Sequence, residues 1–142
     1  MKRTILAFLA GLAMWVVVAT LLNFGLRAGI AGYTLAEPTM SFTLGMKVAR
    51  LIVGALASLS AGAATALIAP SRRSLPWVLG VVVLAVFIPA HIQIWAKFPV
   101  WYHLIFLLTL VPLVVLGAAL ARSRSRKHPR EPVRHSGDRV SR

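Results

Sequence analysis

Cysteine is absent, and Asp plus Glu number only three in 142 residues. The first absence removes disulfides, thiolate metal sites and thiol nucleophiles, and leaves the redox compartment open. The second goes further, because Glu37 is the one acid before residue 131. No paired carboxylates are available in the apolar part of the chain for general acid–base work. Charge of either sign is also scarce: from Thr4 to Ala121 it is confined to Arg27, Glu37, Lys47, Arg50, Arg72, Arg73 and Lys97.

Between those breaks lie four uncharged, largely apolar stretches, Thr4–Leu26, Leu51–Ser71, Ser74–Ala96 and Phe98–Ala121. Each exceeds the roughly 20 helical residues needed to cross a hydrocarbon slab about 30 Å thick. The composition agrees, with 58% hydrophobic residues and a mean hydropathy of +0.80. Lipid offers the backbone no hydrogen bonds, so a span is a helix or a strand of a closed barrel. Barrel strands alternate, whereas Val16–Val18 and Val81–Val83 are continuous apolar runs. A soluble helical core would need polar faces that these segments lack. The expected fold is an all-α membrane protein. It comprises a four-helix transmembrane bundle with short loops over residues 1–121 and a disordered basic tail over 122–142. The spans fall near 4–26, 48–70, 76–96 and 100–121. Met1-Lys2-Arg3 imitates a signal peptide, but the uncharged run continues through Leu26, so an uncleaved first span is expected.

A formal charge of +13 would point a soluble protein toward nucleic acid. Here the cations sit in loops and in the tail, where they set topology and attract anionic lipid headgroups, so no nucleic acid is expected as a partner. Lys2, Arg3, Arg72, Arg73 and the tail share one side, and Arg27, Lys47, Arg50 and Lys97 the other. The positive-inside rule then places both termini in the cytoplasm. Arg exceeds Lys, and Ala, Gly and Val abound, which hints at a GC-rich bacterium and its plasma (inner) membrane. Short connections predict that spans 2 and 3, and spans 3 and 4, pack side by side. Pro38 followed by Thr39 and Ser41 offers an early start for the second helix.

The second span carries a small-residue face. Gly54, Ser58 and Gly62 recur every four residues, with Ala57, Ala61 and Thr65 in a parallel row. Small side chains let a second backbone approach closely, which is how membrane helices gain contact. The first use is packing within the chain. The alternative is a homodimer seam or a contact with a larger membrane partner.

A second group is polar. Asn23, Arg50, His91, Gln93 and His103 fall at similar depth near the outer ends of their spans, with Glu37 in the loop above them. Glu37 is the natural partner for Arg50 or Lys47. Trp95, Trp101 and Tyr102 read as an interfacial aromatic belt, and the segment Phe98-Pro99-Val100-Trp101-Tyr102-His103 concentrates unusual residue types. The candidate ligand-binding set is therefore Asn23, Glu37, Arg50, His91, Trp101 and His103. Its readings are structural hydrogen bonding, a pocket open to the outside for an anionic or polar ligand, or a metal site on His91, His103 and Glu37. No His-x-x-x-His pair lies within one helix, and no metal, cofactor or catalytic set is expected. Pro89 removes the hydrogen bond to the Ala85 carbonyl just before His91, and Pro112 interrupts the fourth span.

In size and span number the chain resembles the small multidrug-resistance transporters. That family depends on a membrane-embedded glutamate in its first helix, and Thr4–Leu26 contains no acid, so the resemblance does not extend to proton-coupled cation export. An enzyme would need a nucleophile, an acid–base pair or a metal, and only His91 and His103 offer themselves. The leading expectation is a non-enzymatic accessory or scaffold bundle packing through the small face of span 2. The alternative is a small transporter or ligand-binding protein using Arg50, His91, His103 and Glu37.

Overall fold

Four long helices account for nearly all of the computed structural model, which describes residues 1–127. They are α1 (Lys2–Gly29), α3 (Leu44–Ile68), α4 (Leu75–Gln93) and α5 (Val100–Lys127), with a single short turn of helix, α2 (Tyr33–Ala36), between the first two. All four long helices contain a window apolar and long enough to cross a membrane. The chain is a multi-pass helical membrane bundle. Glu37 and the α4–α5 connection lie at one end, called here the Glu37 end. The amino terminus and the Arg72 loop lie at the other.

Local chemistry sets the boundaries. Thr43, rather than Thr39 or Ser41, caps α3: its Oγ1 accepts a hydrogen bond from the Met46 amide at 3.3 Å. The loop ahead of it is not a simple connector, because α2 folds there on Gly32, whose φ of 76° suits a residue without a Cβ. Pro76 sits in the first turn of α4, where its missing N–H costs nothing. Beyond Gln93 the chain tightens into a 3-10 turn, Trp95–Lys97. At the far end α5 continues past the expected limit at Ala121 to Lys127. Ser123 and Ser125 hydroxyls donate to the Leu120 and Ala121 carbonyls, and arginine is itself a good helix former. The first part of the expected disordered tail is thus helical, and residues 128–142 lie outside the described residues.

The arrangement of the helices keeps one expected neighbour pair, spans 3 and 4, and departs from the other, spans 2 and 3. α3 packs most extensively on α5 and α1, α4 packs chiefly on α5, and α3 and α4 barely touch although they are consecutive. Backbone proximity explains this. A Cβ on Gly62 would overlap the Val114 carbonyl, and one on Gly117 would overlap the Leu59 carbonyl, so α3 and α5 are in direct main-chain contact. On the opposite flank a Cβ on Gly11 of α1 would meet the Thr65 hydroxyl and Leu79. Contacts this close outweigh loop length in deciding neighbours. The small face of α3 is consumed in the process: Gly54, Ala57, Ser58, Ala61, Gly62 and Thr65 are all buried within the chain. Ser58 and Thr65 satisfy their hydroxyls on the carbonyls one turn back, at 2.7 and 2.9 Å to Gly54 and Ala61. The face foreseen as an alternative dimer seam is therefore already occupied by α1 and α5.

Candidate functional site

The Glu37 end of the bundle holds the polar side chains, and α2 organises them. Tyr33 is fully buried. Its hydroxyl donates to Asn23 Oδ1 on α1 at 3.2 Å and accepts from Arg50 Nη1 on α3 at 2.9 Å. One phenol thus ties a loop to two spans. The Arg50 guanidinium also lies 4.8 Å over the Phe42 ring, a cation–π contact that suits a partly desolvated cation.

No carboxylate neutralises Arg50 among the described residues. Glu37 is their one acid, and it accepts a hydrogen bond from Arg27 Nε at 3.0 Å. The expectation that Glu37 would pair with Arg50 or Lys47 is corrected by this contact. Arg27 lies in the last turn of α1, as far before Glu37 along the chain as Lys47 lies after it, so the way α1 ends and not sequence distance brings it to the carboxylate. Lys47 instead lies 5.9 Å over the Phe98 ring. Arg50 Nε is buried without a partner.

Beside Arg50 is a cavity of about 240 Å³ bounded by α1, α3, α4 and α5. Asn23, Arg50 and Tyr102 form its polar part, and Trp15, Val53, Phe87 and Phe106 its apolar part. Trp15 and Phe87 rings are 4.8 Å apart between α1 and α4, and Trp15 Nε1 donates to Ser58 Oγ at 3.2 Å. Toward the Glu37 end, Tyr33, Phe42, Phe98 and Tyr102 form a buried aromatic cluster with Ala36 and Met46. That cluster covers the cavity at the end where one of the three readings put an opening. On the flank, the lining residues Val16 and Thr20 of α1 are exposed, so the cavity communicates with the lipid-facing side of the bundle.

The two histidines meet across the α4–α5 hairpin with ring centroids 5.3 Å apart. His91 Nδ1 lies 3.0 Å from the Phe87 carbonyl, and Trp95 stacks on His103 at 4.6 Å. His91 Nε2 and both ring nitrogens of His103 are buried without partners. Such groups normally find one, since an orphaned buried polar atom costs about 1–3 kcal/mol. The pair does not extend to a metal centre: Glu37 is held by Arg27, and among the described residues no three His, Asp or Glu side chains converge.

The structure thus brings Asn23 and Arg50 to one cavity and sets His91 and His103 behind its Tyr102–Phe106 wall, His91 stacking 4.7 Å from Phe106. It does not bring in Glu37 or Trp101, which is partly exposed and touches Tyr102 edge-on. Tyr102 itself is buried rather than part of a surface belt. Gln93 is exposed on the other side of α4 from His91, as a two-residue step around a helix requires. Trp15 and Tyr33 are the residues that sequence reasoning missed. The Tyr33/Ala36 spacing, one helical turn in a loop otherwise rich in Gly and Thr, was the available signal for the second. No family model matches the chain, and no curated protein or solved structure shows significant similarity to it.

Proposed function

We propose that this protein is a non-enzymatic membrane protein that binds the anionic group of an amphiphile at Arg50, with the apolar part of the ligand in the adjoining cavity. The observation that carries this reading is a half-buried arginine at the head of an apolar cavity, held by a neutral phenol and an aromatic face instead of a carboxylate. A buried cation without a counter-charge is costly in low dielectric, and an incoming carboxylate or phosphate supplies both charge and hydrogen-bond acceptors. The aromatic cluster above and the exposed flank of α1 favour entry from lipid over entry from water.

The accessory-bundle reading drew on the small-residue face of span 2, the lack of catalytic groups and the basic tail; with that face packed inside the chain, the first of these no longer supports it. Charge supports placing the Glu37 end outside a bacterial plasma membrane. Of the cations there, Arg27 is paired and Arg50 is withdrawn into the bundle, while Lys2, Arg3, Arg72, Arg73, Arg122 and Arg124 collect at the opposite end. The binding site then belongs to the outer leaflet.

The test is retention of a fatty acid or anionic phospholipid by purified protein, read by native mass spectrometry for wild type, Arg50→Gln and Ala19→Leu. Ala19 lines the cavity, so leucine there fills it without touching the charge. Both variants should remain folded and lose at least about tenfold in affinity, Arg50→Gln through the loss of one charge-assisted contact and Ala19→Leu through the filled cavity. Equal retention by a folded Arg50→Gln protein would overturn the reading.

A further inference from the structure

Away from the Arg50 cavity, at the Arg72 end, a groove runs between α3 and α5 on the outside of the bundle. Its apolar part, about 370 Å³, is walled by Leu59, Ser60, Ala63 and Leu67 on α3 and by Gly117, Leu120 and Ala121 on α5. It opens because Gly117 brings the α5 backbone onto the Leu59 carbonyl and leaves no side chain in the floor. Leu59 to Leu67 spans two helical turns, or about 12 Å along the axis. Leu67 and Ser125 also line a second space of about 440 Å³, whose other walls include Arg73 and Arg122. The two spaces adjoin at these shared walls, apolar toward the middle of the bundle and basic at the end, where Arg124 lines the first.

The arginines of this end differ in how they are used. Arg3 Nε donates to the Ile68 carbonyl at 2.6 Å, joining α1 to the end of α3, and Arg122 Nη2 to the Arg72 carbonyl at 3.3 Å, tying the loop to α5. Arg122 Nε is buried without a partner. Arg73 and Arg124 are exposed and form no ion pair among the described residues. A cationic mouth on an apolar groove that runs most of the depth of one leaflet matches one kind of molecule.

We infer that this groove is a site for one anionic phospholipid, its phosphate between Arg73 and Arg124 and one acyl chain lying over Gly117 between α3 and α5. The two guanidiniums, without ion pairs among the described residues, give the phosphate charge-assisted hydrogen bonds, and the chain covers backbone that no side chain among the described residues shields. The inference is independent of the Arg50 cavity, which lies at the other end.

The experiment uses the full-length protein and native mass spectrometry with phosphatidylglycerol and phosphatidylcholine of matched chains. One phosphatidylglycerol should be retained in preference to phosphatidylcholine. The double variant Arg73→Gln/Arg124→Gln should weaken it about thirtyfold, the equivalent of about 1 kcal/mol for each arginine near the surface. Ala63→Leu fills the groove and should weaken it while leaving the charges in place; Ser60→Leu, on the same wall, serves if that variant fails to fold. Soluble glycerol phosphate should not compete at millimolar concentration, since a headgroup alone leaves the groove empty. Unchanged phosphatidylglycerol retention in the folded double variant would overturn the site in favour of general attraction to the basic carboxy-terminal segment. Competition by glycerol phosphate would overturn the acyl seat. A change of oligomeric state in Ala63→Leu with lipid retention unaltered would assign the groove to a second copy of the chain instead.

Discussion

Glu37 accepts a hydrogen bond from Arg27 at 3.0 Å, leaving Arg50 to the neutral Tyr33 hydroxyl at 2.9 Å. The two cations are thus in different electrostatic situations, one paired with a carboxylate and one held by a neutral phenol and an aromatic ring. Glu37→Gln removes an ion pair whose side chains are 46% and 25% exposed, so its cost should stay below about 1 kcal/mol. Ligand retention should be untouched by it. Loss of retention in Glu37→Gln, measured beside Arg50→Gln, would mean that the loop carboxylate takes part in binding after all.

Tyr33→Phe separates the hydroxyl from the ring. The ring remains in the aromatic cluster, while the bonds to Asn23 and Arg50 disappear. A hydrogen bond involving a charged group contributes about 1.5–3 kcal/mol, so unfolding in a denaturing detergent titration should shift by about that amount. The same variant should weaken anion retention, because the guanidinium loses its anchor.

Glycines at close and open positions should respond with opposite sign. Gly62→Ala drives a Cβ into the Val114 carbonyl and should destabilise by about 3 kcal/mol, the upper end of ordinary overpacking, because backbone cannot step aside. Gly45→Ala meets nothing within 4 Å in the first turn of α3 and should stabilise by about 0.4–1 kcal/mol. Circular dichroism during detergent unfolding reads both. Equal responses would show that the α3–α5 backbone contact is looser than described.

His103 is fully buried with neither ring nitrogen bonded. In ligand-free protein His103→Leu should therefore cost less than about 1 kcal/mol or raise stability, since an orphaned polar group is removed from an apolar site. A loss of several kcal/mol would reveal a partner for the imidazole, a bound water or ligand atom.

The spans were legible because charge is expensive in lipid and the chain spends it only at the breaks. The meeting of His91 with His103 was legible too, since a tight hairpin at Pro99 fixes both depths at once. What escaped was whatever depended on three-dimensional proximity between non-consecutive segments. The pairing of α3 with α5 rests on Gly62 and Gly117 occupying matching levels, and spacing on one helix does not reveal its partner. Tyr33 was hidden for a related reason: a residue in a polar loop is buried only when that loop folds back as α2. Glu37 had three cations within reach, and the choice of Arg27 followed from how α1 ends rather than from charge alone.

The contributions of α1 and α5 to the Arg50 cavity have a consequence for biosynthesis. Arg50 leaves the ribosome long before Phe87, Tyr102 and Phe106, so the nascent chain carries its guanidinium into the membrane with the α1 and α2 side of its surroundings made and the α4 and α5 side still missing. Assembly is finished only when the last helix is released, and a chain truncated before it presents a cation to lipid with half its shelter missing.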